Sequence, residues 1–190
     1  MSTARTSLSH PLRIDALPIR RGLLGLTFCP GKKQPDSATG GWRRQLDLDI
    51  AALQRWQAAA LVSVIEPDEL IALEVPGLGA AARAAGIDWL LLPVVDGGVP
   101  GVAFETAWQH AGPQLHARLD AGERVVIHCK GGLGRTGTIA ARLLIESGMP
   151  AEAAMRAVRA ARPGAIENDR QEAYVRSLDA PPMPASDGTR

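Results

Sequence analysis

The chain has two cysteines, one tyrosine and two phenylalanines in 190 residues. Cys29 and Cys129 form no Cys-x-x-Cys pair and join no Cys/His cluster at metal-ligand spacing, which argues against a disulfide framework and against a structural zinc. No apolar run approaches the ~18 residues that would span a bilayer. Met1 to Arg13 lacks the apolar stretch of a secretory signal. Cytoplasmic residence is therefore expected, in a reducing compartment that suits a working thiol. Charge imbalance is missing too: 21 Lys and Arg against 20 Asp and Glu leave a formal net charge of +1. Such a chain has no global attraction for nucleic acid or for an anionic membrane, so any basic character is local. No Gly-Lys-Ser/Thr follows a glycine loop, which excludes the Walker type of nucleotide site.

What is present is an ordinary globular composition, 46% hydrophobic and 22% charged, at a length that suits one domain. Residues 1–15 and 180–190 read as flexible polar ends, leaving 16–179 as the folded unit. Leu17 to Phe28 has strand or hairpin character and ends at the turn signal Pro30-Gly31. Helical spacing runs from Leu46 toward Ala60 through Leu46, Ile50, Leu53 and Gln57. Leu61 to Ile65 and Ile87 to Val94 read as buried strands, with short helical pieces at Glu66 to Leu73 and Leu78 to Ala85 between them. Ala103 to Leu119 is a helix candidate that Gly112-Pro113 is expected to kink or break. A third apolar strand enters Cys129, followed by helices at Thr136 to Glu146, Ala151 to Ala161 and Glu167 to Leu178. Alternating strands and helices predict an α/β fold: a central, mostly parallel sheet flanked by helices.

The most informative stretch is Arg124 to Gly137, Arg-Val-Val-Ile-His-Cys-Lys-Gly-Gly-Leu-Gly-Arg-Thr-Gly. Glycines let successive backbone N–H groups converge on one point, and the following helix adds its own unpaired N–H groups and positive dipole end. That makes an anion cradle of Lys130, Gly131, Gly132, Leu133 and Gly134. Cys129 stands at its mouth, where the field favours thiolate over thiol. Arg135 can fold its planar fork over two oxygens of a tetrahedral anion. A lone cysteine is ordinarily a small core residue and an arginine at a helix start is ordinarily solvated. The glycine loop between them reverses both defaults and points to attack on a phosphoryl group.

His128-Cys129-x-x-Gly132-x-Gly134-Arg135-Thr136-Gly137 resembles the signature loop of the cysteine-dependent protein tyrosine and dual-specificity phosphatases. Leu24-Gly25-Leu26 to Lys32, the segment from Pro93 to Pro100, and Gly164-Ala165-Ile166 followed by Gln171 are similar to the kinase-associated, cyclin-dependent-kinase-inhibitor-3-like branch. The resemblance implies Cys129 as nucleophile, Arg135 as phosphate clamp, and Asp96 as the acid that protonates the leaving oxygen and then activates water. Asp96 lies 33 positions before Cys129, just past a predicted strand and before Gly97-Gly98. Alone, Asp-Gly is a common turn pair. Asp88 is the alternative, at the other end of that strand. His128 is expected to orient the loop. Thr136 is expected both to cap the helix and to steady the departing thiolate, and Gln171 to place the hydrolytic water or wall the pocket. Lys130 adds positive potential.

The implied activity is phosphomonoester hydrolysis through a phosphocysteine, without cofactor or metal, by a monomer that binds neither nucleic acid nor membrane. Its substrates are phosphorylated proteins carrying phosphotyrosine, with phosphoserine or phosphothreonine admitted by a shallow pocket. Two alternatives use the same residues. A phosphoinositide phosphatase is disfavoured by Leu133, where such enzymes carry a second lysine. A non-catalytic reader of phosphorylated residues or kinases has no need of a nucleophile. The glycines also satisfy Gly-x-Gly-x-x-Gly, with Glu152 at the expected distance, but no βαβ unit follows them. Low-molecular-weight phosphatases and arsenate reductases carry their Cys-x5-Arg loop near the N-terminus. A rhodanese-like loop would explain neither Asp96 nor the Gly-Arg-Thr-Gly turn.

Overall fold

A computed structural model describes residues 4–37 and 40–178. Strands β1 (Asp15–Ile19) and β2 (Gly22–Phe28) form a hairpin, β3 (Lys33–Gln34) and β4 (Trp42–Arg43) a small ribbon, and helix α1 (Leu46–Arg55) leads to β5 (Ala58–Ser63). Short helices α2 (Pro67–Ala72) and α3 (Leu78–Ala84) precede β6 (Asp88–Leu91). The long helix α4 (Val102–Asp120) precedes β7 (Arg124–Cys129), and α5 (Gly134–Glu146), α6 (Ala151–Ala161) and α7 (Asp169–Ser177) complete the order.

The main sheet has the order β1-β2-β7-β5-β6. Only the edge strand β1 is antiparallel, and β7 lies centrally between β2 and β5. Parallel strands covered on both faces read as continuous apolar runs, and Val125-Val126-Ile127 is such a run. Successive side chains divide between the faces. Val125, Ile127 and Cys129 join Leu115, Leu119, Ile139, Leu143 and Val158 in one core, while Val126 joins Ile50, Leu53, Leu78 and Cys29 in the other. The two cysteines thus sit in cores on opposite faces. Burial pushes the Cys29 thiol far above its usual range, and it remains a structural thiol.

Three expectations change. Helix α4 runs unbroken through Pro113, because Pro113 and Gln109 lie on its exposed side. The carbonyl that loses its partner faces water, while Trp108, Leu115 and Leu119 hold the buried face. The strand expected to reach Val94 pairs only to Leu91, plus one bond from Leu92 N–H to Ser63 O, since Pro93 has no amide to continue. The expected N-terminal arm is, from residue 4 to 15, part of the packed structure. Arg5 bridges to Trp42, Ser7 is buried and its N–H donates to Gln45 Oε1 at 2.9 Å, and Asp15 opens β1. The polarity of Ser7 is explained by its hydrogen bonds to Gln45. The remainder of the expected flexible ends, 1–3 and 180–190, lies outside the described residues, as does residue 179.

Candidate active site

The C-terminal ends of β2 and β7 open into a pocket of about 490 Å3 lined by Phe28, Lys32, Trp42, Asp96, Cys129, Lys130, Gly131, Leu133, Arg135 and Arg162, among others. Open α/β sheets place ligands at this edge. Cys129 is the last residue of β7 and nearly buried, and the Gly132 N–H donates to its Sγ at 3.2 Å. Gly132 has φ +72°, and a Cβ there would lie 2.3 Å from Thr27 O. Only glycine lets the loop turn this tightly against β2.

The polarity of the cradle follows from where its carbonyls go. His128 Nδ1–H donates to Cys129 O at 3.2 Å, Lys32 Nζ to Lys130 O at 3.3 Å, and Arg162 to both Gly131 O and Gly132 O. With these carbonyls engaged by cations and an imidazole, their negative ends are neutralised and the loop keeps the net polarity of its amides. The sequence gives no role to Lys32, beyond its place at the end of a similar segment, or to Arg162, because the contact each makes depends on where a distant segment folds. Arg162 is itself held by Asp15 at 2.6 Å.

Behind the loop, Trp89 Nε1–H donates to Ser63 Oγ at 2.8 Å, and Ser63 Oγ lies 2.6 Å from His128 Nε2. A carbonyl at Nδ1 requires the hydrogen there, so in the neutral ring Nε2 accepts the Ser63 hydroxyl hydrogen. Burial, aided by the Arg135 charge, lowers the His128 pKa to about 4. His128 is the loop-orienting group expected, and not an acid or base in the pocket.

Arg135 is the second residue of α5 and almost fully buried. Its Nη1 donates to Glu69 Oε2 at 2.5 Å and to Val94 O at 2.9 Å. Its Nη2 donates to Glu69 Oε1 at 2.9 Å and to Asp96 Oδ1 at 2.8 Å. Asp96 is 59% exposed, and its other oxygen lies 3.8 Å from Lys130 Nζ. Asp88, by contrast, is remote and pairs with Arg118. Glu69 was missed in the sequence, although Glu66-x-x-Glu69 is a capping-box spacing that fixes its position: Glu69 Oε2 also accepts from Glu66 N–H at 3.1 Å. Burial works to raise the Glu69 pKa, but the Arg135 hydrogen bonds prevail and hold it below the usual carboxylate range.

Three supporting residues differ from expectation. Helix α5 begins at Gly134, so Thr136 lies inside the first turn and does not cap it. The capping anion is Glu167, whose Oε2 accepts from Gly134 N–H at 2.7 Å. The Gly134 amide is therefore spent on Glu167 and not presented to the pocket as a phosphate donor. Thr136 Oγ1 is buried with no hydrogen-bond partner among the described residues. Gln171 is fully buried outside the pocket lining. Its Oε1 accepts from Glu167 N–H at 3.0 Å and its Nε2 donates to Gly98 O at 3.3 Å, so its amide braces the Asp96 loop. Asn168 Nδ2 helps by donating to Gly97 O at 3.2 Å.

A cysteine at the C-terminal edge of a parallel sheet, a glycine loop whose carbonyls are engaged by cations and a buried arginine define the site of a cysteine-based phosphatase. A family model described as "Swiss Army Knife protein, DSP-PTPase phosphatase domain" matches residues 92–175. Cyclin-dependent kinase inhibitor 3 of Rattus norvegicus is 31% identical over 174 residues, covering 87% of this chain and 77% of that protein. Protein tyrosine phosphatase type IVA 3 of Mus musculus is 34% identical over 129 residues, covering 66% of this chain and 67% of that one. The crystal structure of kinase associated phosphatase with its catalytic-site cysteine replaced by serine superposes with a TM-score of 0.77 at 28% identity, over 87% of this chain and 92% of that one. The chain belongs to the cysteine-based dual-specificity and tyrosine phosphatases, in their kinase-associated branch.

Proposed function

We propose that Cys129 is the nucleophile, Arg135 the phosphate clamp and Asp96 the acid and base of this phosphatase. The Cys129 thiolate attacks phosphorus in line, forming the S–P bond as the P–O bond to the leaving group breaks. Asp96 gives its proton to the departing oxygen. Water, deprotonated by Asp96, then attacks the phosphocysteine, the S–P bond breaks, and inorganic phosphate and the thiolate are released. The loop amides and Arg135 hold the equatorial oxygens throughout. The unpartnered Thr136 hydroxyl is available to donate to the sulfur as it leaves. The substrate is a phosphorylated protein, with phosphotyrosine as the principal residue, met in the cytoplasm.

The observation that carries this reading is the Gly132 N–H directed at Cys129 Sγ in the same pocket where Arg135 donates to Asp96. An incoming phosphoryl group takes the Arg135 fork and displaces the exposed Asp96 carboxylate toward the leaving group. The test is turnover of aryl phosphates with EDTA present, on wild type, Cys129→Ser and Asp96→Ala. Wild type is expected to turn over and Cys129→Ser to be silent. Asp96→Ala slows the poorest leaving groups most. Residual activity in Cys129→Ser would remove the nucleophile assignment, and an equal loss on all leaving groups would remove the acid role of Asp96.

A further inference from the structure

Among the described residues five cations line the pocket: Arg5, Lys32, Lys130, Arg135 and Arg162. Three are matched by acidic side chains. Arg135 has Glu69 and Asp96, Arg162 has Asp15, and Lys130 lies near Asp96. The other two are not. Among the described residues no carboxylate pairs with Lys32, whose Nζ donates to two neutral oxygens, Gln34 Oε1 at 3.1 Å and Lys130 O at 3.3 Å. An ammonium has three donors, so one remains. Nor does any described carboxylate pair with Arg5, whose guanidinium stands 5.3 Å from the Trp42 ring. Lys32 Nζ lies 5.4 Å from the same ring and 5.2 Å from Phe28.

An aromatic wall tolerates cations without neutralising them, because the ring quadrupole attracts charge but carries none. Burial of Lys32 at 4% exposure with no carboxylate partner among the described residues is costly, and it lowers the Lys32 pKa to about 8, although a thiolate at Cys129 works to raise it. A site assembled this way is completed by an anion from outside. At about 490 Å3 the pocket is the size of whole small-molecule sites, roughly 300–1,000 Å3, and so holds more than one phosphoryl group.

We propose that Lys32 and Arg5, set around Phe28 and Trp42, form a second anion subsite that selects phosphopeptides bearing another acidic group, a phosphate or carboxylate, on a side chain neighbouring the scissile phosphate. The inference rests on the phosphatase reading above and deepens it. The contact from Lys32 to Lys130 O places the subsite beside the cradle, so one peptide spans both. A peptide is the fitting ligand because the wall is built from the packed N-terminal segment and the β3–β4 ribbon, which border the pocket and leave room for flanking residues.

The experiment compares kcat/KM for matched phosphotyrosine peptides with a neutral neighbour, an aspartate neighbour or a second phosphate, on wild type, Arg5→Gln, Lys32→Gln and Lys32→Arg. The acidic-to-neutral ratio is expected to be about tenfold in wild type, from one charge-assisted contact. Arg5→Gln and Lys32→Gln are each expected to lower it at least threefold, and Lys32→Arg to keep it. Because the ratio is internal to each variant, a change in overall activity does not disturb it. Arg5 lies at the pocket rim, so its variant reports even if the buried Lys32→Gln fails to fold. A wild-type ratio near one overturns the subsite, as does an undiminished ratio in Arg5→Gln. Faster hydrolysis of vesicles carrying a doubly phosphorylated inositol lipid than of any peptide also overturns it. Turnover of a simple aryl phosphate separates the two failures. If it proceeds with a ratio of one, the subsite alone is wrong. If it is absent, the phosphatase reading has failed first.

Discussion

Two arginines in this molecule are almost equally buried, and they do different work. Arg44, with none of its side chain exposed, donates through Nε and Nη2 to the two oxygens of Asp49 at 2.7 Å each and through Nη1 to His10 O at 2.7 Å. Asp49, itself 1% exposed, also accepts from Gly31 N–H, so neither partner has anywhere else to go. Arg135, 2% exposed, shares its donors between a fixed carboxylate, Glu69, and a carboxylate that water already reaches, Asp96. The lesson concerns exchangeability. A buried arginine closed on both sides staples the pocket wall to α1, whereas one with a replaceable partner is prepared for an anion.

That contrast makes its largest prediction at Arg135. Arg135→Lys removes the planar fork and is expected to lower kcat/KM for phosphopeptides about 10³-fold or more, with little change in the unfolding midpoint. Arg44→Met does the reverse. It leaves Asp49 buried without a counter-ion and is expected to cost about 3–5 kcal/mol in denaturant unfolding. Folded molecules of the variant keep most of their activity on a simple aryl phosphate. Collapse of aryl phosphate turnover in folded Arg44→Met, or unfolding of Arg135→Lys, would break the comparison.

His128 asks whether closure alone makes a group structural. Its two nitrogens are engaged by Ser63 and the Cys129 carbonyl, as completely as Arg44 is engaged by Asp49. Its folded pKa of about 4 lies below the ordinary 6.5. Between those values the unfolded chain binds a proton that the folded chain refuses, so stability falls as the pH drops from 6.5 to about 4. The loss is about 3 kcal/mol, complete once both states are protonated. His128→Gln is expected to flatten that part of the stability–pH curve, measured by denaturant titration at several pH values. An unchanged slope would show that His128 is not held neutral.

These residues also explain what the sequence disclosed. Cys129 and Arg135 were legible because a phosphate cradle compresses nucleophile, glycines and arginine into one loop, where geometry dictates residue type at fixed spacing. The parallel sheet was legible because its strands are buried on both faces and read as apolar runs. Glu69, Arg162, Glu167 and Lys32 were not, since each is one charged side chain whose task depends on where a distant segment folds. Gln171 and Thr136 were assigned pocket or capping roles from their place in a pattern. Burial then turned Gln171 into a brace for the Asp96 loop, and a helix start two residues earlier removed Thr136 from the cap. Ser7 reads as solvent-facing because hydrogen-bonding partners and solvated residues share the same composition.

The finest division of the comparison falls within Arg135 itself, between its fixed partner and its exchangeable one. Glu69 accepts from both terminal nitrogens of Arg135 and is anchored by the start of α2, so it sets the angle at which the guanidinium meets a phosphate. Glu69→Gln keeps the shape but turns an N–H2 toward the guanidinium in place of one oxygen. Misorientation of a clamp this close to the chemistry is expected to lower kcat/KM about tenfold. Two readouts distinguish this from general loosening. In an Arg135→Lys background the Glu69→Gln penalty should shrink toward nothing, as a double-mutant cycle would show for a residue acting only through the arginine. The pH profile gives the second. The Glu69 carboxyl is held below its usual range, so it stays charged through mildly acidic pH, and wild type and Glu69→Gln should converge only as pH falls through that lowered value. Convergence already at ordinary carboxylate pKa values would mean that Arg135 does not hold Glu69 in its charged form.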